Sequence, residues 1–325
     1  MPSTIWSIPN FASFDGQLYT ADATNTPFLA MIGGLTGGRI TQNFEFPTSS
    51  EYAFPAAAQP AITETASLIA PAQVAPQAPP VQNQAFVRNQ NTNVTQIFHE
   101  AINLSYVKLS NGSRLTSAAS GFQVGDENAV MNELAFQQAR KLEKIARDVE
   151  FSFIRGAYAL AANQGQANTT RGMEASAVLG GSVVAGGGAQ LTRAMMQNLF
   201  LQMFNAGATF SNAVIYTGGA LKQRISDIYS FAPASRNVGG VNIEQIETDF
   251  GNIGIVVSRF ANPANVLVAE VSVCEPVFQP VPGKGNLFYE ELARTGAGVQ
   301  GQMFGQIGLN HGPHWMHGII QNVIA

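Results

Sequence analysis

Charge is scarce in this sequence. Only 12% of its 325 residues are charged, against roughly 25% in an average soluble domain. The formal net charge is −4, which gives no basis for electrostatic binding to nucleic acid or anionic lipid. Small and amide side chains take the place of the missing charges. Such a surface repels copies of itself only weakly and suits a protein packed against them, although simple compositional drift explains the same numbers equally well.

Cysteine is nearly absent, and the sequence has no long apolar run. Cys274 is the single cysteine, so no disulfide can form within the chain. This fits synthesis in a reducing cytosol. The first residues do not have the pattern of a secretory signal. The longest weakly polar run, 177–189, is too short and too rich in glycine to span a bilayer. We expect a soluble protein, neither secreted nor in contact with a membrane.

Proline is concentrated in one segment. Residues 46–80 hold seven of the sixteen prolines, which excludes a helix or central strand there. The segment is nevertheless too apolar for a solvated linker, since it contains Tyr52, Phe54 and Ile62. Alternating residues predict a strand on each side, over 38–47 and 91–109. Because so long an irregular loop is unusual in a compact monomer, we interpret it as an extended arm that lies on a neighbouring subunit.

A long amphipathic helix is predicted over residues 126–161. Asp126 is placed to cap its N-terminus, and acidic residues lie in its first turn. At 1.5 Å per residue the helix would be roughly 50 Å long. Its acidic residues Glu143, Asp148 and Glu150 are interpreted as part of a solvated face. The apolar stripe, at spacings of three and four, consists of Met131, Leu134, Ala135, Leu142, Ile145, Ala146, Val149 and Phe153.

A glycine-rich stretch, 180–188, separates this helix from a second unit of mixed helices and strands. The predicted elements are a helix over 191–208 that Gly207 ends, a buried strand near 212–219, a helix over 220–230, a pair of strands at 253–260 and 266–273, and closing strands at 302–309 and 314–324.

Three of the four histidines fall within seven residues. On one helix His311, His314 and His317 would face the same way, which is typical of a metal site. Gly312 and Pro313 interrupt any such helix. The stretch "NHGP" instead predicts a hairpin turn, with His314 and His317 on opposite faces of the following strand.

A metal-dependent enzyme using these histidines is therefore a remote alternative. No cysteine lies near them, and the closest acids, Glu290 and Glu291, lie twenty residues before. We predict no metal-binding, cofactor-binding or catalytic residues, and no enzyme activity. If the histidines follow a closing turn, we expect them near contacts between subunits.

Two other motifs have structural explanations. The stretch "TDFG" (248–251) copies a kinase triplet, but no kinase catalytic loop precedes it. The stretch "YTGGALKQR" (216–224) has the outline of a phosphate site but lacks the GxxxxGK[ST] pattern. A turn from strand to helix needs glycine for steric reasons alone. Neither motif, nor the pair Asp126 and Glu127, predicts a catalytic centre.

The order of these elements, with five local phrases, resembles the major capsid protein of tailed bacteriophages, which has the Hong Kong 97 fold. The resemblance covers about 300 residues, and it rests on the order of the phrases more than on any one of them. The phrases lie at 24–34 ("TNTPFLAMIGG"), 142–157, 212–227, 246–273 and 290–320.

The resemblance implies an α+β structural protein that forms hexamers and pentamers in an icosahedral head around double-stranded DNA, bound without sequence specificity. It also implies a portal protein at one vertex, possible scaffolding and decoration proteins, and location in the virion after assembly in the host cytoplasm. The implied domains are an N-terminal arm (1–37), an extended loop (38–110), a peripheral domain with the spine helix (111–189), an axial domain (190–282) and a return to the peripheral domain (283–325).

Some features depart from relatives or leave alternatives open. Only about twenty-five residues precede the recognisable arm, which indicates a separate scaffolding protein or a processed N-terminus. Covalent crosslinking through a lysine of the extended loop is disfavoured, because no lysine precedes Lys108. An encapsulin, a related shell that encloses a cargo enzyme, is the main alternative function.

Overall fold

The computed structural model describes residues 25–52, 88–108, 133–229, 234–238 and 241–325. The chain has the mixed α+β character that the sequence predicts. The helices in these ranges are α1 (Pro27–Met31), α2 (Glu133–Arg155), α3 (Met173–Leu179), α4 (Arg193–Ala206) and α5 (Gly219–Tyr229). The strands are β1 (Arg39–Ile40), β2 (Glu45–Tyr52), β3 (Arg88–Val94), β4 (Gln96–Ser105), β5 (Val183–Ala185), β6 (Ala213–Thr217), β7 (Ala234–Val238), β8 (Val241–Thr248), β9 (Gly251–Val257), β10 (Val266–Glu270), β11 (Glu275–Phe278), β12 (Leu287–Glu291), β13 (Gly298–Asn310) and β14 (Gly318–Gln321).

Within the described ranges the strands form two large sheets and one ribbon. The first sheet has the order β1-β11-β13-β12, and β4 also pairs with the long strand β13. The second sheet has the order β5-β14-β10-β6-β9-β8-β7. The ribbon consists of β2 and β3 alone. After the domains that the resemblance implies, we name them the peripheral sheet, the axial sheet and the arm ribbon; the names serve here as labels only.

The arm ribbon confirms the prediction of a strand on each side of the long excursion, but the first strand is displaced. It was predicted over 38–47, whereas β2 begins at Glu45 and runs into the proline-rich segment as far as Tyr52, and β1 joins the peripheral sheet. The pairing of the ribbon is antiparallel and runs from Glu45 opposite Val94 to Tyr52 opposite Arg88. The proline-rich residues between these strands, 53–87, lie outside the described residues. The predicted strand at 91–109 is two strands, because the chain leaves the ribbon at Thr95 and β4 joins the peripheral sheet.

The central strands of the axial sheet, β6 and β10, are buried on both faces. Every residue of β6 is buried, as the sequence predicts. Alternate residues of β6 point to opposite sides: Val214 and Tyr216 pack towards α1 and α2, whereas Ala213 and Ile215 pack towards α4 and α5. The predicted direct pairing of the strands near 253–260 and 266–273 is wrong, because β6 lies between β9 and β10 and pairs with both.

The limits of helix α4, Arg193 to Ala206, agree with the helix predicted over 191–208 and ended by Gly207. The Thr192 side chain accepts a hydrogen bond from the Met195 amide, 3.3 Å away, and caps the N-terminus. Gly207 ends the helix in the left-handed conformation with φ of 97°. A glycine adopts this conformation without steric cost.

The spine helix, α2, ends earlier than predicted. Its described part ends at Arg155 and not near residue 161, and its 23 residues span about 35 Å. Gly156 ends it: the Gly172 amide donates to the Gly156 carbonyl at 2.9 Å, and a Cβ on Gly172 would lie 2.5 Å from the Gly156 nitrogen. The predicted residues 126–132, including the proposed cap Asp126, lie outside the described residues.

Glu150 corrects the interpretation of the helix surface. The sequence placed it on a solvated face, yet it is completely buried. Its carboxylate accepts hydrogen bonds from the backbone amides of Phe28 and Leu29, at 3.1 and 2.7 Å. These amides belong to the first turn of α1, where a carboxylate is favoured. Glu150 therefore fixes the N-terminal segment to the spine helix.

Burial raises the pKa of the Glu150 carboxyl to about 7, because desolvation outweighs the hydrogen bonds from Leu29, Phe28 and Ser258, which lower it. The carboxyl therefore binds its proton more tightly in the folded subunit than in the unfolded chain. Its contribution to stability is complete below about pH 4.5 and is lost as the pH rises through about 7.

The unfolding free energy of the unassembled subunit should reflect this carboxyl. Between pH 5 and pH 8 we expect Glu150 to lower it by roughly 3 kcal/mol. Glu150→Gln should remove that part of the pH dependence, because an amide does not titrate. Denaturant unfolding at both pH values measures it, with Glu143→Gln on the same helix as the control. An equally steep dependence in Glu150→Gln would contradict the assignment.

Candidate functional site

The histidine segment does not form the predicted hairpin. Strand β13 ends at Asn310 in the peripheral sheet, and β14 begins at Gly318 in the axial sheet. Gly312 has φ of +66°, and a short 3₁₀ turn over His314–Met316 follows Pro313. These residues turn the chain as expected, but they direct it into the other sheet. His314 and His317 therefore do not alternate along one strand.

The three histidines lie inside the subunit. His311 and His317 are fully buried and His314 is 9% exposed. Their side chains therefore make their contacts within the subunit, and the expected nearness of this segment to contacts between subunits stays a prediction. The rings of His311 and His314 stack at a centroid distance of 4.5 Å. The cluster occupies the junction of the two sheets, beside helix α3.

Most of the ring nitrogens that could bind a metal already have a partner in the chain. His317 Nδ1 lies 3.2 Å from the Glu270 amide, and its Nε2 lies 2.6 Å from the His311 carbonyl. His314 Nδ1 is 2.8 Å from the Ser176 hydroxyl. No group of three or more histidine, cysteine, aspartate or glutamate side chains in the described ranges is placed to hold a metal ion. The arrangement supports a structural junction more than a metal centre.

Burial lowers the pKa of all three imidazoles. The pKa of His311 falls to about 3, through burial and then the adjacent His314. That of His317 falls to about 4, again mainly through burial. That of His314 is also lowered, by burial and by the positive charge of Arg171. The cluster is therefore uncharged at neutral pH.

The other two sequence motifs have structural roles. Residues 248–251 form the tight turn between β8 and β9, where the Thr248 hydroxyl donates to the Gly251 carbonyl at 2.7 Å. Residues 216–224 form the connection from β6 to α5, with Thr217 fully buried. Glu143 and Asp148 form ion pairs with neighbouring Arg140 and Lys144 on α2.

Asn93 joins the arm ribbon to the body, a role that the sequence analysis missed. Its side-chain nitrogen donates to the carbonyls of Arg171 and Leu309, at 3.1 and 2.7 Å. Its side-chain oxygen accepts from the amides of Arg171 and Val94, at 2.8 and 2.9 Å. All the hydrogen-bonding capacity of this fully buried amide is used. Asn93 sits in the polar run "RNQNTNV", so no local pattern sets it apart from its neighbours.

The base of the arm ribbon is also closely packed. Phe46 is 2% exposed and lies against Gly308 of β13, where a Cβ would come within 2.7 Å of its ring. Arg171 donates to the Thr92 carbonyl at 3.2 Å and lies over the ring of Tyr158, 4.3 Å from its centroid. The ribbon is therefore fixed at one end, next to the histidine junction.

Exposed apolar side chains occur on both the arm and the body. They include Ile40, Phe44, Tyr52, Ile97, Tyr106, Val107, Leu201 and Phe204.

Across the described ranges, no helix is both long and apolar enough to cross a membrane.

Comparisons with known proteins agree with this architecture. A family model described as SU10 major capsid protein matches residues 3–323. Curated protein sequences give no match. The fold is similar to that of the cyanophage A-1(L) capsid asymmetric unit, with a TM-score of 0.65 at 10% identity over 95% of this chain and 96% of that chain.

Two further solved structures share the fold. A solved structure from Mycobacterium phage Adephagia gives a TM-score of 0.52 at 11% identity, over 95% of each chain. The holo-SrpI encapsulin complex of Synechococcus elongatus gives 0.57 at 10% identity, over 95% of this chain and 92% of that chain. At these identities the likeness shows the fold, and the family model, which covers nearly the whole chain, shows the family. The chain belongs to the SU10 major capsid protein family, a structural family of tailed-phage head proteins and not a class of enzyme, and it has the Hong Kong 97 fold.

Proposed function

We propose that this capsid protein assembles as hexamers and pentamers into a closed icosahedral shell around the double-stranded DNA of a tailed phage. The observation that carries the proposal is the match of the major capsid family over residues 3–323. A closed shell needs a protein whose copies associate through many contacts. The scarcity of charge, 12% of residues, limits repulsion between the copies.

The domain roles that the resemblance implied become proposals on this structure. The arm ribbon would belong to the extended loop (38–110), although β4 of that range lies in the peripheral sheet. Strands β6 to β10 with helices α4 and α5 would supply the axial domain near the capsomer centre (190–282), although β11 of that range lies in the peripheral sheet. The spine helix would belong to the peripheral domain (111–189), although β5 of that range lies in the axial sheet. The N-terminal arm (1–37) and the C-terminal return (283–325) complete the proposed division, although β14 of the return also lies in the axial sheet.

The arm ribbon supports the contact with a neighbouring subunit. Among the described strands, β2 and β3 pair only with each other. A two-stranded ribbon by itself is at best marginally stable in water. Fixed at its base by Asn93 and Phe46, the ribbon would gain support by lying on another copy of the chain.

The other proteins expected in the shell follow from the same proposal. The shell would hold a portal protein at one vertex, would form in the host cytoplasm with scaffolding and decoration proteins where the phage has them, and would become part of the virion. The net charge of −4 favours an inner surface that does not bind the packaged DNA tightly.

An encapsulin-like shell is the second candidate, since the encapsulin of Synechococcus elongatus shares the fold. The family model favours the phage capsid. Enclosed DNA, as opposed to a cargo protein, distinguishes the two.

Electron microscopy of native particles, or of the purified chain under assembly conditions, tests the shell directly. We expect closed icosahedral particles, and nuclease-protected DNA inside the native ones. Small discrete oligomers under every assembly condition would overturn the shell. A protein cargo without DNA inside native particles would replace the phage function with the encapsulin one.

Replacing residues 53–87 by Asn-Gly tests the arm. Tyr52 and Arg88 are paired, so a two-residue turn can close the ribbon without disturbing its register. We expect a soluble, folded subunit that forms no shells in electron micrographs. Circular dichroism and the free energy of unfolding provide the control for folding. Normal shells from the shortened chain would contradict the role of the arm, and an insoluble chain would show that the segment belongs to the fold of the subunit.

Asn93→Ala should weaken the base of the ribbon. It leaves the buried carbonyls of Arg171 and Leu309 without their donor, which costs about 2–4 kcal/mol. Denaturant unfolding measures this loss, and particle counts in electron micrographs measure the expected fall in shell yield. Asn103→Ala, at an exposed position of β4, is the matched control. Equal effects of the two substitutions would contradict the role of Asn93.

A further inference from the structure

The chain crosses between the peripheral and axial sheets twice at one place. The first crossing runs from β10 to β11, and the second runs from β13 to β14. The two crossings lie side by side, because β10 pairs with β14 and β11 pairs with β13, both antiparallel. They also touch, since a Cβ on Gly312 would lie 2.8 Å from the Val273 side chain.

His317 joins one crossing to the other. Its Nδ1 accepts a hydrogen bond from the Glu270 amide at the end of β10, 3.2 Å away. A nitrogen that accepts carries no proton, so the proton of the neutral ring is on Nε2. Nε2 then donates to the His311 carbonyl at 2.6 Å. The backbone contacts therefore determine both the tautomer and the uncharged state of His317.

A second proton on His317 is incompatible with this geometry. It would have to bind Nδ1, which faces the N–H of Glu270. The hydrogen bond would be replaced by two opposed donors. A positive charge would also be buried, and no carboxylate of the described residues is paired with the ring. Opening the junction is the way in which the ring can accept the proton.

The surroundings of His317 do not relieve this conflict. Two titratable neighbours of His317, His311 and His314, would each add positive charge on protonation. Arg171, before α3, disfavours the protonated forms of His311 and His314, whereas Glu51 of the arm ribbon favours that of His314. The Glu270 carboxylate accepts hydrogen bonds from the Asn212 amide and from the hydroxyls of Ser211 and Ser272, and so is already paired with other groups.

Protonation of His311 would also destabilise the closed junction. Its Nδ1 lies 2.8 Å from the Gly312 carbonyl and carries the proton of the neutral ring. Its Nε2 is buried and has no hydrogen-bond partner among the residues that the structure describes. A proton added there would also be buried unpaired, against the stacked ring of His314.

We propose that His317 is an acid-sensitive latch: its protonation breaks the connection from Glu270 through His317 to His311 and loosens the junction between the peripheral and axial sheets. The latch is fully closed above the ordinary imidazole range. Because burial lowers the pKa of His317 to about 4, its contribution to stability is lost as the pH falls from about 6.5 through 4.

Hydrogen–deuterium exchange of the full chain, as subunit and as shell, tests the latch. Peptides that cover 266–274 and 311–320 report on the two crossings, after correction for intrinsic exchange. Below about pH 6 we expect local opening in the wild type to increase roughly tenfold for each pH unit. His317→Gln should show a shallower increase, because an amide can accept from Glu270 and donate to His311 but does not titrate. The increase that remains would come from His311 and His314, whose pKa values burial also lowers.

His99→Gln is the matched control. His99 is exposed on β4, 3.2 Å from Gln302, so this variant should follow the wild type. The local readout also separates the latch from Glu150, whose effect on stability has the opposite sign. Exchange in the wild type that does not change between pH 7 and 4.5 would overturn the proposal, as would an equally steep increase in His317→Gln.

A second measurement needs no variant. Nitrogen NMR of the wild-type subunit with labelled histidine rings should show His317 as the Nε2–H tautomer at pH 7, still neutral at pH 5.5. The Nδ1–H tautomer, or a midpoint near pH 6.5 in the folded subunit, would overturn the latch.

Discussion

Two adjacent chain crossings hold the two sheets of this subunit together, and the remainder of the fold depends on them. The peripheral sheet carries the arm ribbon, and the axial sheet carries helices α4 and α5. The spine helix packs against both sheets, with Ile145, Val149 and Phe153 in the shared core. The crossings therefore set the orientation in which the spine helix can bury its apolar stripe.

Buried polar side chains fix the separate parts of the chain to one another. Glu150 fixes the N-terminal segment, Asn93 fixes the arm ribbon, and His317 joins the crossings. Apolar contacts alone would tolerate small shifts between these parts, because burial is non-directional. A buried hydrogen bond does not tolerate them, since an unpaired polar group in the interior costs more than the bond contributes. For a shell protein this is a useful property, because every copy must present its surfaces in the same positions.

The elements with a strong local signal could be predicted. The glycine end of α4, the fully buried strand β6 and the strands flanking the proline-rich segment follow from spacing, glycine and proline. The family could be recognised from the order of five phrases, and the family model confirms it. The pairing of strands within the sheets could not be predicted in the same way. Strands β9 and β10 are neighbours in sequence but not in the sheet, because β6 inserts between them.

The periodic elements, the turn at Gly312 and Pro313 and the absence of a disulfide follow from the sequence, because they depend on local backbone sterics and on composition. The folded chain is needed to show where that turn leads and what Glu150, Asn93 and His317 do. Each of these three bonds to partners that are distant in sequence or in another sheet. Burial and hydrogen bonding arise when distant segments meet, so a polar residue on a solvated face and one that holds the core together look alike until the chain is folded.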